Sequence, residues 1–210
     1  MRIDVHQHLG IKWVNAKEIS EYFDIILLNP AYKYSCQCCV DGFYQQYLWL
    51  KNKNENREKY RLLGIYNPKC RVPLEVELGR QYEKGIVGIV LTPEKHGYKI
   101  QDIDKVLEFA EDHKMPIFIK TTQDLTQKIQ EFTHLTFVIL GSYYPMEEML
   151  YNLLKYNNAF FETSGVPESF LNKIPTDRLI YGSGYPYLPF KNMHFIDVTS
   201  ENALKIISIH

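Results

Sequence analysis

With 210 residues, 45% of them hydrophobic and 14% aromatic, the chain carries enough apolar material for one good core and none of the bias of a disordered protein. A net charge of −1 removes the electrostatic argument for a nucleic-acid or membrane-surface partner. No apolar run is long enough to span a bilayer, and the N-terminus lacks the charged and apolar regions of a signal peptide, so a cytoplasmic location is expected.

The first element, Arg2–His8, alternates Ile3 and Val5 with polar residues and reads as a buried strand. It delivers the most informative motif of the chain, His6-x-His8. Residues i and i+2 of a strand share a face, so both imidazoles emerge together at the strand's end. Two neutral imidazoles side by side are half of a site for zinc or another divalent metal.

A second strand is expected over Asp24–Leu28. The stretch from Asn29 to Lys59 reads as one long loop, with Pro30, many tyrosines, a polar run over Lys51–Lys59, and three of the four cysteines (Cys36, Cys38 and Cys39). With Cys70 these are too few and too bunched for a disulfide framework, and reduced thiols are expected.

Further strands are expected at Arg61–Tyr66, Val87–Leu91, Pro116–Lys120, Thr136–Leu140, Ala159–Glu162 and Leu179–Tyr181. Helical spacing appears in Ile103, Val106, Leu107 and Ala110; in Leu125, Ile129 and Phe132; and in Met146, Met149, Leu150, Leu153 and Leu154. Strands separated by single helices imply a parallel sheet with right-handed crossovers. Eight of them in an α/β chain predict a compact (β/α)8 TIM barrel, a single domain over 1–210. Such barrels typically take roughly 250 residues, so several helices here must be short or replaced by loops.

At this point the chain resembles the amidohydrolase superfamily, in its branch related to aminocarboxymuconate-semialdehyde decarboxylase. The resemblance is carried by Ile3-Asp4-Val5-His6-Gln7-His8, Gly85-Ile86-Val87-Gly88-Ile89-Val90-Leu91 and Met115-Pro116-Ile117-Phe118-Ile119-Lys120. It continues through Phe137-Val138-Ile139-Leu140-Gly141-Ser142, Phe161-Glu162-Thr163-Ser164-Gly165, the block from Arg178 to Pro186, and the closing helix over Glu201–Ile207. The resemblance implies a metal-dependent hydrolase or decarboxylase, often dimeric, acting on a small carboxylated or cyclic molecule at the C-terminal mouth of the barrel. It implies zinc or another divalent metal held by the first-strand His pair, a fifth-strand His and an eighth-strand Asp, with a further His after the sixth strand.

His6 and His8 match that pattern, whereas Lys120, Ser142 and Gly184 stand at the other three positions. Glycine neither binds metal nor moves a proton, and hydrolysis at a metal-bound water still needs a placed base. Two imidazoles also fall short of the three protein ligands of a catalytic zinc. Lys120, if charged, repels a metal; carbamylated, it would be an anionic ligand. Cys36, Cys38, Cys39 and Cys70 follow strands and are candidate surrogate ligands, against a plain reading as inert thiols. Glu162, ending the seventh strand, is a candidate general base, and the Glu-Thr-Ser-Gly block can also serve the barrel end structurally. His96, Ser142 and Tyr185 are candidate substrate contacts, with surface placement the alternative for His96. Tyr143, Tyr144 and Tyr187 are further aromatic candidates for the pocket. His113, His134, His194 and His210 read as helix-end or solvated histidines.

Three functions stay open. One is a metal-dependent enzyme, with His6 and His8 on the metal and Glu162 moving protons. Another is a metal-free enzyme using Lys120 as base or Schiff-base nucleophile. The last is a degenerate barrel that binds a ligand or protein partner.

Overall fold

Each expected strand forms, within a residue or two of its expected bounds. They are β1 (Ile3–Gln7), β2 (Ile25–Leu28), β3 (Tyr60–Ile65), β4 (Ile86–Leu91), β5 (Ile117–Ile119), β6 (Phe137–Ile139), β7 (Ala159–Glu162) and β8 (Leu179–Ile180). A computed structural model describes residues 1–12, 16–30, 41–141 and 147–207. The strands pair in parallel and in chain order from β1 to β8. The segment after β8 brings the sheet back to β1: Val5 N–H donates to the Tyr181 carbonyl at 3.1 Å, Gly184 N–H to the His6 carbonyl at 2.9 Å, and His8 N–H to the Tyr185 carbonyl at 2.8 Å. The result is a nearly closed (β/α)8 barrel.

The connections carry α1 (Asp41–Lys51), α2 (Leu74–Tyr82), α3 (Pro93–His96), α4 (Asp104–Asp112), α5 (Thr126–Glu131), α6 (Glu147–Leu153), α7 (Glu168–Leu171) and α8 (Phe195–Ile207). The economy needed to fit 210 residues is visible in α3 and α7, each of 4 residues. Between β1 and β2 the described residues hold only a 3-10 turn at Ser20–Tyr22. The stretch expected as one long loop contains α1, a correction to the sequence reading. Phe43, Tyr44, Tyr47, Leu48, Trp49 and Leu50 surround that helix instead of forming a stripe, which hides its period; Phe43 is fully buried while Leu48 is 53% exposed.

Two apolar clusters separate the layers. The larger lies between strands and helices, where Val106, Leu107 and Ala110 of α4 meet Ile89, Ile117 and Phe137. The smaller is the barrel interior: Ile3, Val5, Leu27, Leu63, Val90, Phe118, Val138 and Ile180, closed below by Ala203 and Ile206 of α8. Asn202 fixes that helix to the barrel, its Nδ2 donating to the carbonyls of Leu179 (2.8 Å) and Thr176 (2.9 Å). Among the described residues no helix is long and apolar enough to cross a membrane.

Candidate active site at the barrel mouth

Above the apolar interior, the next inward positions after Leu27, Phe118 and Phe160 turn polar, as Asn29, Lys120 and Glu162. On β1 the register against β2 shifts between Asp4 and Gln7. Past this irregularity His6 and His8 face each other, Nε2 to Nε2, at 3.1 Å. Their rings meet edge to face. His6 is almost fully buried and His8 half-buried.

Each imidazole is fixed from behind. His8 Nδ1 lies 2.9 Å from the Asn29 carbonyl, which only accepts, so His8 carries its proton on Nδ1 and directs the Nε2 lone pair at His6. Burial holds the His8 pKa well below its usual value, helped by the nearby charges of His6, Lys120 and Lys95 and opposed by the Asn29 hydrogen bond.

His6 Nδ1 faces Glu162 Oε2 at 3.3 Å and Ser164 Oγ at 3.2 Å. The Ser164 hydroxyl is spent on Glu162 Oε2 at 2.7 Å, leaving its oxygen as an acceptor, so His6 too donates from Nδ1. Glu162 is buried and receives Gly141 N–H on Oε2 (2.8 Å) and Ser164 N–H on Oε1 (2.7 Å). With both Nδ1 atoms protonated, the facing Nε2 atoms require one cation between them. A proton between the two nitrogens meets that need.

The carboxylate owes its seat to a glycine. A Cβ on Gly182 would lie 2.1 Å from Glu162 Oε1, so only glycine admits Glu162 here. Beneath His6, the buried Asp4 accepts the His6 N–H (3.0 Å), the Ser183 N–H (3.0 Å) and Gln7 Nε2 (2.7 Å), tying β1 to the turn after β8. Burial raises the Asp4 pKa against these hydrogen bonds.

The structure brings His6, His8 and Glu162 together, and Lys120 stands close enough to perturb His8. Three residues that sequence reasoning did not assign complete the arrangement: Ser164, Asn29 and Lys95. Tyr187, 56% exposed, tilts over His8 with ring centroids 4.9 Å apart. Tyr185 is turned elsewhere: its hydroxyl donates to the Lys17 carbonyl (2.8 Å) and its ring stacks on Phe190. His96 is buried instead of surface-placed, with Nδ1 3.3 Å from Thr92 Oγ1, and burial lowers its pKa to about 4. Cys70 is half-buried and packs against the outer core. Ser142, Cys36, Cys38, Cys39, Tyr143 and Tyr144 lie outside the described residues.

A divalent metal at this mouth can be tested against the donor set. Two imidazole nitrogens on one tetrahedral zinc lie about 3.3 Å apart, close to the His6–His8 separation. Among the described residues, however, no group of three or more His, Cys, Asp or Glu could hold a metal ion. Glu162 is turned to the back of His6, and Gly184 has no side chain to offer. The donors therefore fit half of a catalytic metal centre and not a whole one.

No family model matches the chain. No curated protein matches its sequence. Solved structures do match in fold. An enamidase described as a member of the amidohydrolase superfamily superposes with a TM-score of 0.66 at 9% identity, covering 99% of this chain and 67% of the other. The fold it shares with this chain is the (β/α)8 barrel. A probable 2-pyrone-4,6-dicarboxylic acid hydrolase from Acinetobacter baumannii, with citric acid bound, gives 0.59 at 16% identity over 99% of this chain and 92% of its own. A 5-carboxyvanillate decarboxylase from Novosphingobium aromaticivorans, with bound manganese, gives 0.61 at 14% identity over 89% and 78%. The fold resemblance inferred from the sequence blocks is therefore borne out, and the solved structures that share it include an enamidase of the amidohydrolase superfamily, a probable hydrolase and a decarboxylase.

Proposed function

We propose that this chain is a hydrolase- or decarboxylase-type enzyme of the amidohydrolase fold that acts on a small carboxylated or cyclic molecule, with the His6–His8 pair as its proton-transfer centre. The observation that carries this reading is the Nε2-to-Nε2 approach at 3.1 Å, with each ring held from behind by an acceptor.

The pair can give a proton or take one. In a decarboxylation the bond to the carboxylate carbon breaks, CO2 leaves, and the electron pair left on the substrate takes up a proton. The proton shared by the two imidazoles is the donor. In a hydrolysis the pair, entering without the shared proton, takes the proton of the attacking water between its Nε2 atoms and returns it to the leaving group. Glu162 and Ser164 are positioning residues in both, since they touch His6 Nδ1 and fix the ring's orientation and tautomer. Lys120 lies beside His8 as the group to hold or polarise the substrate.

The experiment is a screen of small aromatic acids, cyclic acids and lactones for CO2 release and ring opening, run with wild type, His6→Gln and His8→Gln. Loss of turnover by about 10²-fold or more in His8→Gln supports the reading. Turnover that survives both substitutions overturns it.

The separation of the pair, close to the bite of a tetrahedral ion, favours one second reading, in which His6 and His8 hold a divalent cation. Running the screen in EDTA and in added zinc or manganese separates the two: turnover that dies in EDTA and returns with metal supports the second.

A further inference from the structure

The mouth is rich in hydrogen-bond donors. Lys120 follows β5, and its position is the next inward one after Phe118, which lies in the barrel interior. Its backbone N–H donates to the Leu91 carbonyl at 3.0 Å, fixing the end of β5 against β4. Lys95 belongs to α3, directly after β4, so the two lysines leave neighbouring strands at the same end of the barrel. Both side chains are exposed. Burial and the charge of Lys120 lower the Lys95 pKa, and both lysines act on His8, so all three groups lie within electrostatic reach of one another.

Glu94, the sequence neighbour of Lys95, directs its carboxylate at the residues that follow β5. Its carboxylate is occupied by Thr121 Oγ1 (2.8 Å), Thr122 N–H (2.6 Å) and Thr122 Oγ1 (2.9 Å). Glu162 is likewise buried behind His6 and engaged there. A further donor stands on β2's side: Asn29, 2% exposed, is the next inward position after Leu27, and its Nδ2 has no hydrogen-bond partner among the described residues. Two ammonium groups and an unspent amide donor at one end of the barrel describe a place for an anion.

We infer that Lys120 and Lys95 supply the mouth with a cationic centre of its own, which takes the carboxylate of a small organic acid where a complete metal site would present a divalent ion. The inference rests on the proposed substrate class and makes it specific: the ligand carries at least one carboxylate, and its capture needs no metal. It also gives the mismatch at the metal positions a chemical sense, because a lysine at the end of β5 repels a cation and attracts the substrate's anion from the same place. Asn29 adds a directed hydrogen bond to a second carboxylate oxygen.

The test is calorimetric titration of the full chain with benzoate and with isophthalate, both weak chelators, in excess EDTA. Wild type is compared with Lys95→Met, Lys120→Met, the double variant and, as a surface control, Lys105→Met. Saturable binding in EDTA is expected, weakened several-fold by each single change and about ten-fold or more by the pair, with Lys105→Met unchanged. Binding should also weaken as salt is raised. No saturable binding by wild type in EDTA, or a double variant within about two-fold of wild type, overturns the inference. So does binding that appears only with added zinc. The screen for turnover fails independently: a chain that binds both acids and transforms neither loses the enzymatic reading and keeps the anion site.

Discussion

The floor and the mouth of this barrel are built by the same strands, one step apart, and they obey different physics. Phe118 of β5 is followed inward by Lys120 just past the strand, Phe160 by Glu162 on β7, and Leu27 of β2 by Asn29 just past its end. Below that level the interior is wholly apolar and is sealed by Ala203 and Ile206. Its stability comes from excluded water and close packing, and many apolar sequences would serve. Above it, Glu162, Ser164 and Asp4 are each tied to named partners, and a single wrong atom there leaves a buried donor unmatched. The floor tolerates substitution of like for like; the mouth tolerates very little.

That contrast can be broken or sharpened by mutation. Phe118→Ala empties the fully buried centre of the floor and is expected to cost about 3–5 kcal/mol in urea unfolding, with carboxylate binding retained by whatever fraction stays folded. Glu162→Gln barely changes volume, yet it puts an NH2 where Oε2 now receives Gly141 N–H, the Ser164 hydroxyl and His6. A loss of about 2–3 kcal/mol is expected, together with a misplaced His6. A neutral result would show the mouth to be as forgiving as the floor.

The next effect is a pH dependence from His96. Its folded pKa, about 4, lies below the ordinary imidazole value of 6.5, because burial disfavours the charged ring. The unfolded chain therefore binds more protons between these values, and stability present above pH 6.5 is lost as pH falls toward 4. A fall of about 2 kcal/mol from this group is expected over that window. His96→Phe should flatten the slope relative to wild type in chemical unfolding at several pH values; equal slopes would remove His96 as its source.

The smallest change tests the metal position. Gly184 has φ +67°, and a Cβ there would sit 2.8 Å from Leu188 Cδ1. Gly184→Asp is expected to cost about 1–2 kcal/mol for the left-handed backbone, and zinc titration should detect no tight site, since the backbone no longer presents that residue as a strand end would.

The floor was legible in the sequence because strand periodicity and apolar runs report directly on burial; even the bounds of β7, Ala159–Glu162, agree. His6, His8 and Glu162 were legible because all lie on or one step past strands and the His pair shares a face by period two; the register shift after Asp4 that turns the pair inward was not. Asn29 and Ser164 were not, because they act through geometry that residue type does not announce. Asn29 serves His8 with its backbone carbonyl, and Ser164 passes its hydroxyl to Glu162 while accepting from His6. The available signal was position: Asn29 is the first polar residue after the apolar β2, and Ser164 stands two residues beyond Glu162. Lys95 needed the fold itself, which sets α3 beside the end of β5.

The most direct measurement is metal content by mass spectrometry on untagged protein purified in zinc-replete medium, comparing wild type with the His6→Ala/His8→Ala double variant. If the mouth works by its own proton and its own ammonium groups, both proteins carry well under one metal ion per chain and wild type alone retains turnover. Near-stoichiometric zinc or manganese in wild type, absent from the double variant, would contradict that and make the imidazole pair a metal site.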